Sequence, residues 1–406
     1  MKKENIVIFT LPMSAFIILM VLSDLADIDL FFNQKAEVAN LEDDGAEQSS
    51  ADKDNLALSF KEYDKIYEEE HSAYKDKIEK QWGEFKSSSE SEWVSYVDED
   101  NVRRSVDYES GKISVELLLN ETDRDKRAIK LKMEKEVYAL LNTTEADAFQ
   151  ADIVAQKVEA RLPSDTQLIK RGSPEDNRLF SFEDLTSVTF NYSGIVKVSN
   201  KNNNFVKNKI LQAKVPGKRV FHSSFDIQTS VLQKAIRYAE SVGLSSQKHK
   251  IPTALIFAII ESESSFNPMA KSHIPAYGLM QIVPRSAGKD ATKHLYGKAK
   301  ILAPSYLYST ENNINVGSAY LHVLYHKYLS KVKDPQSRIY CAIAAYNTGA
   351  SNVARAFIKK KNFSLAVKHI NKMTPDEVYQ TLVKRLPFRE TRGYVKKVSN
   401  KMEKYL

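Results

Sequence analysis

The spacing of apolar and polar positions predicts mixed α and β structure in the first half of the chain. Residues 56–81 are highly charged and strongly helix-forming, with a partial aromatic stripe. Between residues 102 and 119 apolar and polar side chains alternate across a turn at Gly111, which is typical of a β-hairpin. A helical pattern follows near 122–141, and two or three further strands are predicted beyond residue 187. We therefore predict a small α+β domain over residues 57–222.

From about residue 225 the pattern becomes helical throughout. Residues 226–243 carry apolar side chains at helical spacing between Asp226, a candidate N-cap, and Gly243, a candidate stop. This pattern predicts an all-α domain over residues 223–406. Further helices are predicted at 252–266, 312–329, 336–346, 350–358 and 376–384.

The start of the chain is typical of an exported protein. Lys2 and Lys3 precede the uncharged apolar run 6–22, which as a helix would span about 25 Å, just short of a hydrocarbon core of ~30 Å. A cleaved signal and a retained anchor both fit this length. Because no convincing cleavage site follows, we favour a membrane anchor within residues 1–32. Residues 33–56 have the acidic composition of a solvated linker.

Composition limits the kinds of binding partner and site but does not identify one function. The net charge of +7 fits an anionic partner without choosing among nucleic acid, membrane and cell-wall polymer. Cys341 is the single cysteine, so an intramolecular disulfide is excluded. His322 and His326 have a metal-ligand spacing but no obvious third ligand, so we expect no metal site.

Two acidic residues, Glu261 and Glu263, follow an apolar helical run that ends before Asn267 and Pro268. At 100° per residue their side chains point about 200° apart, so at most one of them faces a catalytic cleft. A carboxyl group on an apolar surface has a raised pKa and can act as a general acid. Both glutamates continue apolar rows, so periodicity leaves the choice open. For either glutamate, the alternative to a catalytic role is that of an ordinary hydrogen-bonded or solvent-exposed residue at a helix end.

The residues that follow resemble a known catalytic motif. Starting at Glu263, the chain reads ESSFNPMAKSHIPAYGLMQIVP, which resembles the motif of the soluble-lytic-transglycosylase superfamily. Two further blocks occur in the order of that family, AAYNTG at 344–349 and RLPFRETRGYVKKV at 385–398. The resemblance covers nearly all of residues 225–400 and is strongest to the membrane-bound murein transglycosylase C family. It implies a lysozyme-like fold for the all-α domain.

This resemblance implies cleavage of the β-1,4 bond between N-acetylmuramic acid and N-acetylglucosamine in the glycan strands of peptidoglycan, leaving 1,6-anhydro ends. It assigns the general acid and base to Glu263 and implies no cofactor. For Tyr346 and Asn347, a structural role at the end of the helix before Gly349 is nearly as well supported. The residues implied to bind substrate are Ser272, Gln281, Tyr346, Asn347 and Tyr394. For Tyr394 the resemblance also implies a hydrogen bond to the catalytic carboxyl group.

Two other functions fit the same fold. A muramidase would hydrolyse the bond but needs a second carboxylate or a positioned water, and a noncatalytic glycan-binding scaffold would have lost the chemistry. One departure from the transglycosylase C family concerns location, because that family is ordinarily lipid-anchored and this chain has no cysteine near its apolar run. We therefore expect a periplasmic protein anchored by its N-terminal segment, with no nucleic-acid partner.

Overall fold

The structure, a computed structural model, describes residues 50–162, 168–170, 177–180, 188–190, 196–198, 207–227, 229–272 and 275–406. The predicted anchor and most of the predicted acidic linker lie outside the described residues. Within the described ranges, no helix combines the length and the apolar character needed to cross a membrane.

A single long helix, α1 (Ser50–Trp82), opens the described part of the chain. It buries one side of its middle section, which confirms the predicted aromatic stripe and extends it to Ile66 at helical spacing. Farther along, Ile78 and Trp82 pack against one face of the sheet described next. The buried side chains of the stripe are Phe60, Tyr63, Ile66 and Tyr67.

The five-stranded sheet is antiparallel with the order β1-β2-β3-β8-β7. The predicted hairpin is confirmed as β2 and β3, joined through a turn at Gly111, and Val106 pairs with Ile113. Strand β8 lies beside β3, with Ile113 opposite Phe225. The pattern missed β1 and β8. The strands are β1 Glu92–Val97, β2 Val102–Asp107, β3 Lys112–Asn120, β4 Leu168–Ile169, β5 Val188–Phe190, β6 Val196–Val198, β7 Lys207–Gln212, β8 Lys218–Asp226 and β9 Ile301–Leu302.

Three helices follow the hairpin, and side-chain caps explain where each begins. The carboxylate of Asp125 accepts two N–H groups at the start of the first, and Thr144 forms a capping box with Asp147 at the second. Asp152 caps the third by accepting the N–H of Ala155 at 3.1 Å. These helices are α2 Lys126–Leu141, α3 Glu145–Ala151 and α4 Ile153–Arg161.

The second half of the described chain is helical apart from the two-residue strand β9, as predicted. Its helices are α5 Val231–Ile236, α6 Ala239–His249, α7 Thr253–Glu263, α8 Lys289–Tyr296, α9 Pro304–Leu307, α10 Thr310–His322, α11 Pro335–Thr348, α12 Ala350–Ile358, α13 Phe363–Ile370, α14 Pro375–Arg385 and α15 Arg389–Met402. Two π-helical turns occupy Pro284–Gly288 and Val323–Tyr328, and a 3-10 turn occupies Glu403–Tyr405.

The prediction of one helix over 226–243 is wrong. Asp226 is still paired in β8, and the side chain that caps the helix start is Ser230. The helix breaks at Tyr238, whose N–H bonds to the carbonyl of Ala235 three residues back. A second helix then runs straight through Gly243.

The two halves of the described chain pack together as one compact unit that extends to Tyr405. Strand β4 pairs in parallel with β9, and the carboxylate of Glu159 accepts both the N–H and the hydroxyl of Ser305. Glu145 likewise accepts the N–H of Thr310 at 3.3 Å. The boundary expected near residue 223 stays a prediction. Strand β8 crosses this position, and both halves contribute to one hydrophobic core.

Candidate active site

Helix α7 is the central element of the helical half. Its residues from Ala254 to Ile260 are fully buried apart from Phe257, which is partly buried. A helix that is apolar on all sides is buried on all sides. This explains why periodicity could not choose between the two glutamates, which lie in the last turn of α7.

Glu261 is bound by the C-terminal end of the chain. Its carboxylate accepts hydrogen bonds from Lys404 at 3.0 Å and from the hydroxyl of Tyr405 at 2.8 Å, and Lys401 lies 3.2 Å away. Burial alone would raise the pKa of Glu261, but these donors outweigh it and hold the pKa below its usual value. Glu261 is therefore an ionised residue that ties α7 to the chain end.

Glu263 has a different environment. The hydroxyl of Tyr394, on α15, donates to its Oε1 at 2.5 Å. Burial raises the pKa of Glu263 to about 7, and the hydrogen bond from Tyr394 opposes that rise. The negative charges of Glu90 and Glu390 contribute to this raised pKa, and the positive charge of Lys397 opposes it. A carboxyl group with this pKa is substantially protonated at neutral pH and can give and take a proton.

Tyr394 itself is a stable proton donor to this carboxyl group. Burial raises its pKa well above 10, and the neighbouring charge of Glu263 adds to the rise. Tyr394 therefore stays protonated whenever Glu263 is ionised, so the hydrogen bond favours the carboxylate form of Glu263.

The chain leaves α7 through a constrained turn. The hydroxyl of Ser264 donates to the carbonyls of Ile260 and Leu279, which joins the helix end to the next part of the motif. Ser265 and Phe266 both have positive φ values, 52° and 68°, which are unfavourable for residues other than glycine. The ring of Phe266 is buried and stacks on Tyr238 with centroids 5.9 Å apart, and this packing holds the turn.

The segment Gly278–Gln281 forms a second turn beside α7, and Asn313 on α10 holds it. The amide of Asn313 donates to the carbonyls of Tyr277 and Leu307 at 2.8 and 2.7 Å, and its oxygen accepts the N–H of Met280 at 2.8 Å. From α11, the hydroxyl of Tyr346 donates to the carbonyl of Met280 at 2.7 Å. The turn is thus bonded from two sides.

Of the predicted substrate residues, Tyr394 and Tyr346 interact with Glu263, and the other three contact neighbouring parts of the motif and α15. The negative charge of Glu263 contributes to the raised pKa of Tyr346, although burial is the larger cause. Gln281 is buried, donates to the carbonyl of Gly278 at 3.1 Å, and its Oε1 has no partner among the described residues. Ser272 is half-buried, with its N–H on the carbonyl of Ala276. Asn347 accepts the hydroxyl of Thr391 at 2.7 Å, which links α11 to α15.

Comparison with family models gives two matches in chain order. Residues 52–170 match the N-terminal domain of membrane-bound lytic murein transglycosylase C. Residues 240–368 match the transglycosylase SLT domain, and this range contains Glu263 and both turns of the motif.

Curated relatives extend these matches along the chain. A membrane-bound lytic murein transglycosylase C from Salmonella arizonae is 31% identical over 338 residues, which covers 82% of this chain and 87% of the relative. The chain belongs to the membrane-bound lytic murein transglycosylase C family. A member from Sodalis glossinidius is 44% identical over 173 residues, 43% of this chain, and the match spans only about half (48%) of that relative's length.

Among solved structures, the 70 kDa soluble lytic transglycosylase from Escherichia coli is similar over 41% of this chain and 24% of its own. The sequence identity over this part is 27% and the TM-score is 0.32.

For this member of the lytic murein transglycosylase C family, sequence reasoning missed a helix that carries a site residue and a residue that holds the second turn. Helix α15, which carries Tyr394, was not predicted, although the spacing of Tyr394, Val395, Val398 and Met402 is helical and would have found it. Asn313, in contrast, lies in a polar stretch that carries no signal of its role.

The two histidines considered as metal ligands lie elsewhere and bond to backbone carbonyls. His322 Nδ1 is 2.8 Å from the carbonyl of His249, and His326 Nε2 is 3.0 Å from that of Lys250. Across the described residues, no group of three or more His, Cys, Asp or Glu is arranged to hold a metal ion.

Proposed function

We propose that this chain cleaves the β-1,4 bond between N-acetylmuramic acid and N-acetylglucosamine in peptidoglycan, as a lytic transglycosylase with Glu263 as general acid and base. The observation that carries the proposal is the carboxyl group of Glu263, with a pKa of about 7 and a hydrogen bond from Tyr394 at 2.5 Å. It lies inside the segment that matches the transglycosylase SLT domain. The family membership supports the same activity.

The reaction needs one group that first gives and then takes a proton. Protonated Glu263 donates to the glycosidic oxygen, the bond to the muramoyl C1 breaks, and the glucosamine unit leaves as an alcohol. The acetamido group of the substrate stabilises the resulting cation. The Glu263 carboxylate then removes the proton of the muramoyl 6-hydroxyl, whose oxygen bonds to C1. Glu263 regains its proton and no water is consumed.

The remaining site residues would hold the sugars. Ser272 and Gln281 would contact the units at the scissile bond, and the unpaired Oε1 of Gln281 can accept a hydrogen bond from a sugar N–H or O–H group. Tyr346 and Asn347 would line the glycan groove. Their contacts with Met280 and Thr391 support an additional bracing role.

The masses of the released fragments test this function. Purified peptidoglycan sacculi digested with the protein should release muropeptides with 1,6-anhydro ends. A muramidase would release fragments heavier by one water molecule, and a scaffold would release none. Either of those results would overturn the proposal.

The pH dependence of kcat/KM should follow Glu263. Because the acid must be protonated, activity should fall as pH rises through about 7, the pKa of Glu263. Tyr394→Phe removes a hydrogen bond that lowers this pKa, so the falling limb should move to higher pH. Glu90→Gln removes a negative charge that raises the pKa, so the limb should move to lower pH. If neither variant moves the limb, Glu263 is not the titrating group.

We also propose that the protein works in the periplasm, anchored to the inner membrane through residues 1–32. The uncharged run after Lys2 and Lys3 supports this location, and the relatives are named as membrane-bound. The full chain should stay in the inner-membrane fraction after a salt wash and be digested by protease in spheroplasts. A variant lacking residues 1–32 should not associate with that fraction. A mature N-terminus found beyond residue 22 would contradict the anchor.

A further inference from the structure

Two residues pair with each other at the two ends of the motif segment that connects the turn after α7 to the Gly278–Gln281 turn. Lys271 and Tyr277 form an isolated antiparallel bridge. Lys271 directly precedes Ser272, and Tyr277 directly precedes Gly278. A displacement of this residue pair therefore displaces both Ser272, a proposed sugar-binding residue, and the turn beside Glu263.

Lys271 is bound by the N-terminal half of the chain. Its ammonium group lies 2.6 Å from Oδ2 of Asp152, at the junction of α3 and α4, and the two side chains are only 13% and 14% exposed. Burial would lower the pKa of Lys271 and raise that of Asp152, but their mutual attraction outweighs burial in both cases, so both stay charged. The backbone N–H of Lys271 also donates to the carbonyl of Ser89 at 3.3 Å.

Tyr277 is connected to the same carboxylate through aromatic residues. The hydroxyl of Tyr308 donates to Oδ2 of Asp152 at 3.0 Å, and the Tyr308 ring lies edge-on to Tyr277 with centroids 5.4 Å apart. From α1, the hydroxyl of Tyr63 donates to that of Tyr277 at 2.9 Å. Tyr63, Tyr277 and Tyr308 are almost completely buried, so the network has little room to rearrange.

From this network we infer that Asp152 is a positioning residue of the active site. Through Lys271 it holds Ser272 and the Gly278–Gln281 turn in place beside Glu263. The inference rests on the proposed function and adds to it that the N-terminal half supplies part of the catalytic arrangement. An attached domain that only bound the wall would not need an ion pair with the catalytic motif.

Asp152→Asn is the single substitution that tests this inference most directly. The amide can keep its oxygen on the N–H of Ala155, so the cap of α4 survives, but an NH₂ group then faces the Lys271 ammonium and cannot accept from it. We expect kcat for cleavage of soluble glycan strands to fall by roughly 10- to 100-fold, because a displacement of about 1 Å at a reacting centre can cost 100-fold. The full chain is assayed well below the melting temperature of each variant.

Glu159→Gln is the matched control. Glu159 also crosses from the N-terminal helices to the helical half, but it bonds to Ser305, outside the motif. It should lower the melting temperature while leaving kcat near the wild-type value. This separates positioning from general stability.

A double-mutant cycle with Lys271→Met tests whether Asp152 acts through Lys271. If it does, each single variant and the double variant should lose similar factors in kcat, so the effects are not additive. The inference would be overturned if the losses in kcat were additive, or if Asp152→Asn had the same kcat as Glu159→Gln. Failure of the proposed function would be seen separately, as wild-type protein that releases no anhydro product.

Discussion

Glu263→Gln should lower the rate of peptidoglycan cleavage by about 10²- to 10⁴-fold, the range for removal of a general acid and base. The glutamine amide can neither give a proton to the glycosidic oxygen nor take one from the 6-hydroxyl. It can still accept the hydrogen bond from Tyr394, so the fold around it should persist. Release of anhydro muropeptides from sacculi, measured by mass spectrometry, checks the rate, and thermal unfolding checks the fold.

Glu261→Gln is the matched control for this prediction. Glu261 belongs to the same helical turn but is held by Lys401, Lys404 and Tyr405. Its substitution weakens the attachment of the chain end and should cost stability, while the folded protein keeps a rate close to wild type. Equal loss of activity in both variants, or cleavage that survives Glu263→Gln, would refute the assignment of Glu263.

Gly278→Ala should destabilise the protein by roughly 2–5 kcal/mol and reduce its activity. Gly278 has φ of +73°, and a Cβ there would lie 2.3 Å from the Asn313 amide nitrogen and 2.6 Å from the carbonyl oxygen of Leu307. The left-handed backbone costs an L-residue about 1–2 kcal/mol, and overpacking adds about 1–3 kcal/mol. Relief of the clash would move Asn313, which holds the turn beside Glu263. Urea unfolding and the cleavage assay measure the two effects.

Gly297→Ala separates strain from crowding. Gly297 has the same φ of +73°, but a Cβ there would meet no atom within 4 Å. It should therefore show only the backbone cost of about 1–2 kcal/mol and leave activity unchanged. If the two alanine variants unfold at the same urea concentration, the crowding around Gly278 does not contribute to the loss in free energy of unfolding.

Local pattern was sufficient where apolar and polar residues recur along the sequence with the period of the element. The stripe of α1 and the hairpin at Gly111 have such a period and were predicted. Where no such period is apparent, prediction failed. Strand β8 spans the predicted boundary at residue 223, and it pairs both with β7, which directly precedes it, and with β3, about 110 residues earlier in the chain.

The break at Tyr238 shows a second limit. Residues 226–243 have a helical period, yet the strand extends to Asp226 and the helix restarts after Tyr238. The ring of Tyr238 stacks on Phe266, in the turn after α7. That contact is a tertiary one, and no residue within the segment encodes it.

The sequence by itself determined the order of the three motif blocks around the site and, through the spacing of the motif from Glu263 to Gln281, which glutamate to test. Only the tertiary structure showed which side chains contact each glutamate. Tyr394 reaches Glu263 across 131 residues, and the donors to Glu261 lie at the chain end. A carboxyl group at the end of an apolar helix can be a buried acid or an ion-pair partner. Its pKa depends on which hydrogen-bond donors and charges from distant parts of the chain pack against it, and the periodicity of the helix itself does not predict them.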